Sequence, residues 1–269
     1  MGGINKVLHI SFDDINICIK NLKKYEYDSV FDEDFFGFIK ELHEKNGAVI
    51  SLYCYTDTFN NMPNFYQKEL GACSKWLKFG IHAPNEREDY SKYSYSEAKK
   101  EYELFVKEIL QLTGTVESID RCPRLHCFTA SKEAILGMRD AENGIWGLIT
   151  AEKRNPNKKL KNRISYQLDP TRSNETIYYD ELTKIYYIQT AIRCDWLVNW
   201  KQWVRVYTLS FGKVELLMRS LIKKYDILEC FAHEWNFEAR DIVRQCAIWG
   251  EKNDLKSDFI QNIVSNKSL

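Results

Sequence analysis

The run Val7-Leu8-His9-Ile10-Ser11-Phe12-Asp13-Asp14 decides how the rest of the chain is read. Six residues rich in apolar side chains stop at two adjacent acids, the pattern of a buried strand that ends in a polar site. The pattern recurs three times: Phe79-Gly80-Ile81 stops at His82, Val116 to Ile119 at Asp120-Arg121, and Ile227 to Ala232 at His233. Helical periodicity lies between these runs. Phe35, Ile39 and Leu42 mark one face of a helix that opens on Asp32-Glu33-Asp34 and closes at Gly47. Ala98, Tyr102, Phe105, Ile109 and Leu112 mark a second, between Ser94 and Gly114.

Further strands are expected over 48–55 and 145–150, and further helices over 65–77, 131–142, 214–222 and 237–249. Alternation of this kind implies a parallel sheet covered by helices, the α/β class. The stretch 153–174 is polar and loop-like. Ile177 to Tyr179 and Ile185 to Ile192 flank Asp180 to Lys184 as a β-hairpin inserted into the core pattern. No Pro-, Gly- or Ser-rich linker interrupts the order, so one domain over 1–269 is expected.

Composition narrows the function classes. The 269 residues carry 38 basic and 38 acidic side chains, with 44% hydrophobic and 14% aromatic residues. A chain without net charge lacks the electrostatic footprint of a nucleic-acid or anionic-membrane binder, so neither partner is expected. Lys158, Lys159 and Lys161 read as a solvated loop. The opening Met1-Gly2-Gly3 is not followed by a leader pattern, and no run nears the roughly 18 apolar residues of a membrane span. A cytoplasmic protein is the expectation. The eight cysteines contain no C-x-x-C pair, so buried free thiols are expected rather than disulfides or a thiolate zinc site.

In a parallel barrel the strand C-termini emerge at one face, where active sites are built. Asp13, Asp14, His82, Asp120-Arg121 and His233 are therefore able to share one pocket. Asp13 and Asp14 should point in different directions, because successive strand side chains alternate. His82 and Glu86 are four apart, which on a helical turn puts both on one face as metal ligands require. His9, His43 and His126 read as structural. Trp146 and Trp235 are candidates for exposed aromatics at the same face, against a core role for each.

These residues resemble, in motif order from Ser11 to His233, the polysaccharide-deacetylase family (the NodB-homology carbohydrate esterases). Ser11-Phe12-Asp13-Asp14 is similar to its T-F-D-D motif, which implies Asp13 as catalytic base and Asp14 as metal ligand. His82 to Glu86 falls where the family has H-[ST]-x-x-H, implying His82 and Glu86 as ligands, with glutamate in place of the second histidine. Arg121-Cys122-Pro123 is similar to R-x-P, whose arginine orients the base, and Phe231-Ala232-His233 to L-x-H, whose histidine is the general acid. The resemblance implies a distorted (β/α) barrel and a hydrolase that removes N- or O-acetyl groups from a carbohydrate. The implied cofactor is a divalent ion, with zinc the first candidate. Inside a cell, a nucleotide- or lipid-linked sugar would be a fitting substrate.

Two departures leave alternatives open. If Glu86 points away, Asn85 or His126 takes its place, or no metal binds. Arg124 stands where the family usually carries an aromatic, so Arg124-Leu125-His126 is a second candidate for the functional element, with Arg121 structural. The rival readings are a barrel that has lost catalysis and binds carbohydrate or a protein partner, and a metal-independent glycosidase using Asp13 with Glu152 or Glu234.

Overall fold

The structure is a computed structural model and describes residues 6–60, 62–151, 166, 175–203 and 211–267. The expected polar loop over 153–174, with Lys158, Lys159 and Lys161, lies outside the described residues except for Tyr166, and Glu152 lies outside them as well. The first sheet is parallel and contains β1 (Val7–Ile15), β2 (Ile50–Tyr55), β3 (Leu77–Ala83), β7 (Ile192–Arg193) and β8 (Ile227–His233), in the order β3-β2-β1-β8-β7. A short β9 (Lys256–Ser257) adds to the start of β1. The second sheet has β4 (Gly147–Thr150) and β5 (Ile177–Asp180) on either side of β6 (Ile185–Gln189).

Backbone hydrogen bonds join the two sheets into a distorted barrel. Residues 119–123 run beside β3 and then beside β4. Asp120 N donates to Phe79 O at 2.8 Å, Trp146 N to Arg121 O at 2.7 Å and Ile149 N to Pro123 O at 3.0 Å. On the other side the chain passes from β6 into β7, and Ala191 N donates to Glu229 O at 2.9 Å. The expected hairpin exists as β5 and β6, which are antiparallel, but it is not a decoration. Its second strand lies parallel to β4 and forms part of the wall. The expected strand over Val116 to Ile119 is a single 3-10 turn, Val116–Ser118, followed by one bridge from Ile119 to Phe79.

The helices outside the wall begin and end largely where local chemistry says they should. In α2 (Asp34–Asn46) the Glu33 carboxylate accepts from Phe35 N and Phe36 N, and Gly47 closes the helix at φ 63°. In α4 (Tyr95–Thr113), Ser94 and Glu97 form a capping box and Gly114 closes at φ 72°. A left-handed φ is cheap only for glycine, which is why both helices stop there. The expected helix over 65–77 is shorter, α3 (Gln67–Ala72), because Leu77 already belongs to β3.

Three further helices, α1 (Ile17–Lys24), α6 (Cys194–Trp203) and α9 (Ile260–Ser265), have no counterpart in the expectation. The others are α5 (Lys132–Arg139), α7 (Phe211–Leu221) and α8 (Ala239–Lys252). Ile260 and Val264 of α9 cluster with Tyr53, Cys122, Ile149, Ile188 and Ile227, packing that closes the floor of the barrel. All eight cysteines are free, and all but Cys127 are buried. No helix among the described residues is long and apolar enough to cross a membrane.

Candidate functional site

The site stands at the C-terminal ends of the strands, and two β-bulges shape it. Between Phe12 and Ile15, β1 advances three residues while its partner β2 advances two, from Leu52 to Cys54. The extra residue lies in the Asp13-Asp14 pair, and Asp14 takes the left-handed φ of 59°. Between Ile81 and Ala83, β3 gains one residue against Cys54 and Tyr55, and that residue is His82. A bulge re-aims a side chain that regular alternation would send to the other face. It also means that His82 is still part of a strand, so His82 and Glu86 do not share a helical face.

Asp13 points into the barrel. Its Oδ1 accepts from Arg124 Nη1 at 2.8 Å, and both side chains are buried. Arg124 also reaches Glu229 Oε2 at 2.6 Å, Ser11 Oγ at 3.1 Å and Thr190 Oγ1 at 3.2 Å, and its guanidinium lies 3.9 Å from the centroid of the Phe231 ring. Burial alone would favour a neutral Glu229. The Arg124 charge, with the nearby His9 imidazole and a hydrogen bond from Ser11, instead lowers its pKa to about 2.

Asp14 turns the other way, into a group of imidazoles. Its Oδ1 is 3.2 Å from His82 Nε2 and 3.6 Å from His126 Nδ1, and its Oδ2 is 3.7 Å from His233 Nε2. His126 Nδ1 and His82 Nε2 are 3.2 Å apart. His82 Nδ1 donates to the carbonyl of Arg124 at 2.6 Å. A carbonyl only accepts, so Nδ1 carries a proton, and Nε2, the atom that faces Asp14 and His126, is the one left to ligate a metal. Tyr55 OH and Trp235 Nε1 donate to the two Asp14 oxygens, the latter at 3.0 Å.

The electrostatics favour positive charge at this point. Burial opposes ionisation of Asp14, yet the surrounding imidazoles of His126, His82 and His233 hold its carboxyl far below the usual range. Burial likewise opposes a charged His126, and Asp14 overrides it, raising the His126 pKa to about 10. A field that draws a proton onto His126 also suits a divalent cation. The ligand atoms of Asp14, His82 and His126 lie within 4.8 Å of one another, and among the described residues no other such group of acid, histidine or cysteine side chains forms. One carboxylate and two imidazoles suit zinc or a similar ion. The donor set therefore fits a metal.

His233 completes the site from β8. Its Nδ1 donates to Asp195 Oδ2 at 2.6 Å, and Asp195 is further held by the His233 backbone N–H at 3.2 Å and by Asn236 Nδ2 at 3.0 Å. Burial disfavours the imidazolium, but Asp195 outweighs it and raises the His233 pKa.

The residues expected from the sequence thus separate. Asp13, Asp14, His82 and His233 come together. Glu86 does not: its carboxylate accepts from Asn16, lies 3.9 Å from Lys20 Nζ, and is 63% exposed. His126, read as structural but also named as the alternative to Glu86, stands in its place. Arg121 does not reach Asp13. Its Nε donates to Asn143 O at 3.2 Å and its guanidinium covers Trp146, because alternation along 120–124 turns Arg121 outward and Arg124 inward. Asp195 was missed altogether.

Trp235 is at the site and 52% exposed, its ring 5.2 Å from that of His233. Glu234, offered as a glycosidase acid, instead accepts from the backbone N–H groups of Asn16, Ile17 and Cys18 at 2.7, 2.8 and 2.6 Å. It caps α1. His9 and His43 are structural as expected: His9 Nε2 meets Ser51 Oγ at 2.9 Å, and His43 stacks on Trp76 at 4.4 Å.

No model of a protein family matches the chain, and no curated protein matches it. Solved structures do. A protein from Mycobacterium smegmatis assigned as a polysaccharide deacetylase aligns over 97% of this chain and 90% of its own, at 9% identity and a TM-score of 0.55. The Xyl-CE4 domain of a multidomain xylanase from the hindgut metagenome of Trinervitermes trinervoides aligns over 98% and 92%, at 10% identity and 0.47. A CE4-family pseudoenzyme from Bacillus anthracis aligns over 97% and 66%, at 10% and 0.47. The fold is that of the polysaccharide deacetylases, and the chain is divergent from them in sequence.

Proposed function

We propose that this protein is a metal-dependent hydrolase that removes N- or O-acetyl groups from a carbohydrate. The observation that carries the reading is the convergence of Asp14, His82 and His126 between two preset pairs, Asp13 with Arg124 and His233 with Asp195. Asp14, His82 and His126 would hold the ion. A divalent cation at that position supplies Lewis-acid polarisation of the acetyl carbonyl and a more acidic water.

The chain's own groups do the proton work. Asp13 is the base: Arg124 orients its carboxylate, and the bulge sets it beside the Asp14 cluster. His233 is the acid. Asp195 binds its Nδ1–H, so the proton for the leaving group is carried on Nε2, the atom that faces Asp14. Trp235, at the rim, offers a ring face to a sugar. Acetylated sugars linked to a nucleotide or lipid carrier are the substrates to screen beside free oligosaccharides.

One observation favours the rival reading of a carbohydrate-binding barrel without catalysis. Both Asp14 oxygens already accept from protein donors, Tyr55 and Trp235. One experiment decides between the two. Metal content is measured on protein purified without chelator, and acetate release is then followed on acetylated sugars with and without added zinc. About one equivalent of metal and zinc-dependent acetate release support the hydrolase. Sugar binding without metal or acetate release supports the rival.

A further inference from the structure

Arg121 and Trp146, both singled out in the sequence, stand apart from the Asp14 cluster and meet each other. The Arg121 guanidinium lies 4.3 Å from the centroid of the Trp146 ring. Among the described residues no carboxylate lies within ion-pairing distance of it. The two form part of a cavity of about 660 Å³ that Arg139, Lys184, Tyr179 and Tyr186 also line. Trp146 immediately precedes β4, Lys184 immediately precedes β6, and the end of α9 completes the lining. The cavity is therefore at the strand starts, the end of the barrel opposite to Asp14, and it shares no residue with that site.

Its chemistry is one-sided. Three cationic side chains line it, and no Asp or Glu does among the described residues. Arg139 pairs with Asp140 at 2.7 Å and the exposed Lys184 with Glu181 at 2.5 Å, both from outside the lining, whereas Arg121 has no carboxylate partner among the described residues. Guanidinium and ammonium groups only donate, so the hydroxyls of a neutral sugar would find few acceptors there, whereas a phosphate is matched by the guanidinium fork. The Tyr179 and Tyr186 rings, 5.1 Å apart, and the part-exposed indole supply flat apolar area for a planar ring. The volume lies within the range of small-molecule pockets, and a concave site of this size suits a small ligand better than a protein face.

We propose that this pocket binds a nucleoside phosphate, its phosphate groups on Arg121 and Lys184 and its base against the aromatic wall. The proposal does not depend on the deacetylase reading.

Isothermal titration of the full chain with ADP, against inorganic phosphate as control, tests it. A Kd below about 100 μM for ADP, clearly tighter than for phosphate, is expected. Arg121→Ala and Trp146→Ala should each weaken ADP binding at least about tenfold. Lys184→Ala, a change at an exposed side chain that does not threaten folding, should weaken it about threefold. Asp14→Ala, at the other end of the barrel, should leave the affinity unchanged. No binding at about 1 mM ADP, affinity no better than that of phosphate, or the same Kd in the Arg121 and Lys184 variants would each overturn the proposal.

Discussion

Arg124 Nη1 lies 2.8 Å from Asp13 Oδ1 while the same guanidinium reaches Glu229 at 2.6 Å, so one buried cation compensates two buried carboxylates. Removing it strands both charges in the barrel, and breaking a buried pair from one side costs about 3–5 kcal/mol. Arg124→Met should therefore lower the unfolding free energy by about that amount in urea denaturation. Arg121→Met, without a carboxylate partner among the described residues, should cost about 1 kcal/mol or less. Equal losses would mean that Arg121 shares the role.

In the proposed metal site, the ligand place expected of Glu86 falls to His126. His126→Ala should weaken zinc binding by more than about a hundredfold, since even outer partners of a ligand are worth 10- to 100-fold. Glu86→Ala should leave zinc binding unchanged, because the Glu86 carboxylate is at Asn16 and Lys20 instead. Competition with a chelating dye reads both. Loss in Glu86→Ala alone would return that residue to the ligand set.

Glu229 makes stability depend on acid. Its folded pKa, about 2, is below the ordinary value near 4.3 for an unfolded chain. The contribution is complete above the unfolded value and is lost as pH falls through the folded one, the case of a depressed carboxylate. Stability should drop by about 3 kcal/mol from this group between roughly pH 4.5 and 2. In Glu229→Gln that part of the urea-midpoint profile should flatten. An unchanged profile would assign the acid sensitivity to other groups.

Glu234 separates the hydrolase from a glycosidase. As the cap of three backbone N–H groups it contributes to folding, and Glu234→Ala should cost about 1–2 kcal/mol. Glu234→Gln, which can still accept, should retain acetate release within about twofold. A hundredfold loss of turnover in a stably folded Glu234→Gln protein would make it a catalytic group after all.

The sequence by itself determined what local chemistry controls. Apolar runs ending at Asp13-Asp14, His82 and His233 marked the strands and the end of the barrel where a site forms. Ser94 with Gly114, and Gly47, marked helix boundaries, because capping and left-handed φ are properties of a few adjacent residues. The tertiary structure decided everything that depends on distance through space. α1 has no side-chain cap of its own from Asn16. Glu234, over 200 positions away in the chain, supplies it, so no local pattern could announce that helix. Likewise Glu86 had the right spacing for a ligand on a helical turn, but the bulge keeps His82 in a strand, and His126 arrives from another segment. The R-x-P resemblance put Arg121 first and left Arg124 as the second candidate, and only the alternation along 120–124 in the assembled wall turned Arg124 toward Asp13. Asp195 carried no motif in our reading and became visible only through its 2.6 Å contact with His233. Motif order locates the strand ends, whereas bulges, caps and charge pairing in the assembled barrel choose which side chains meet there.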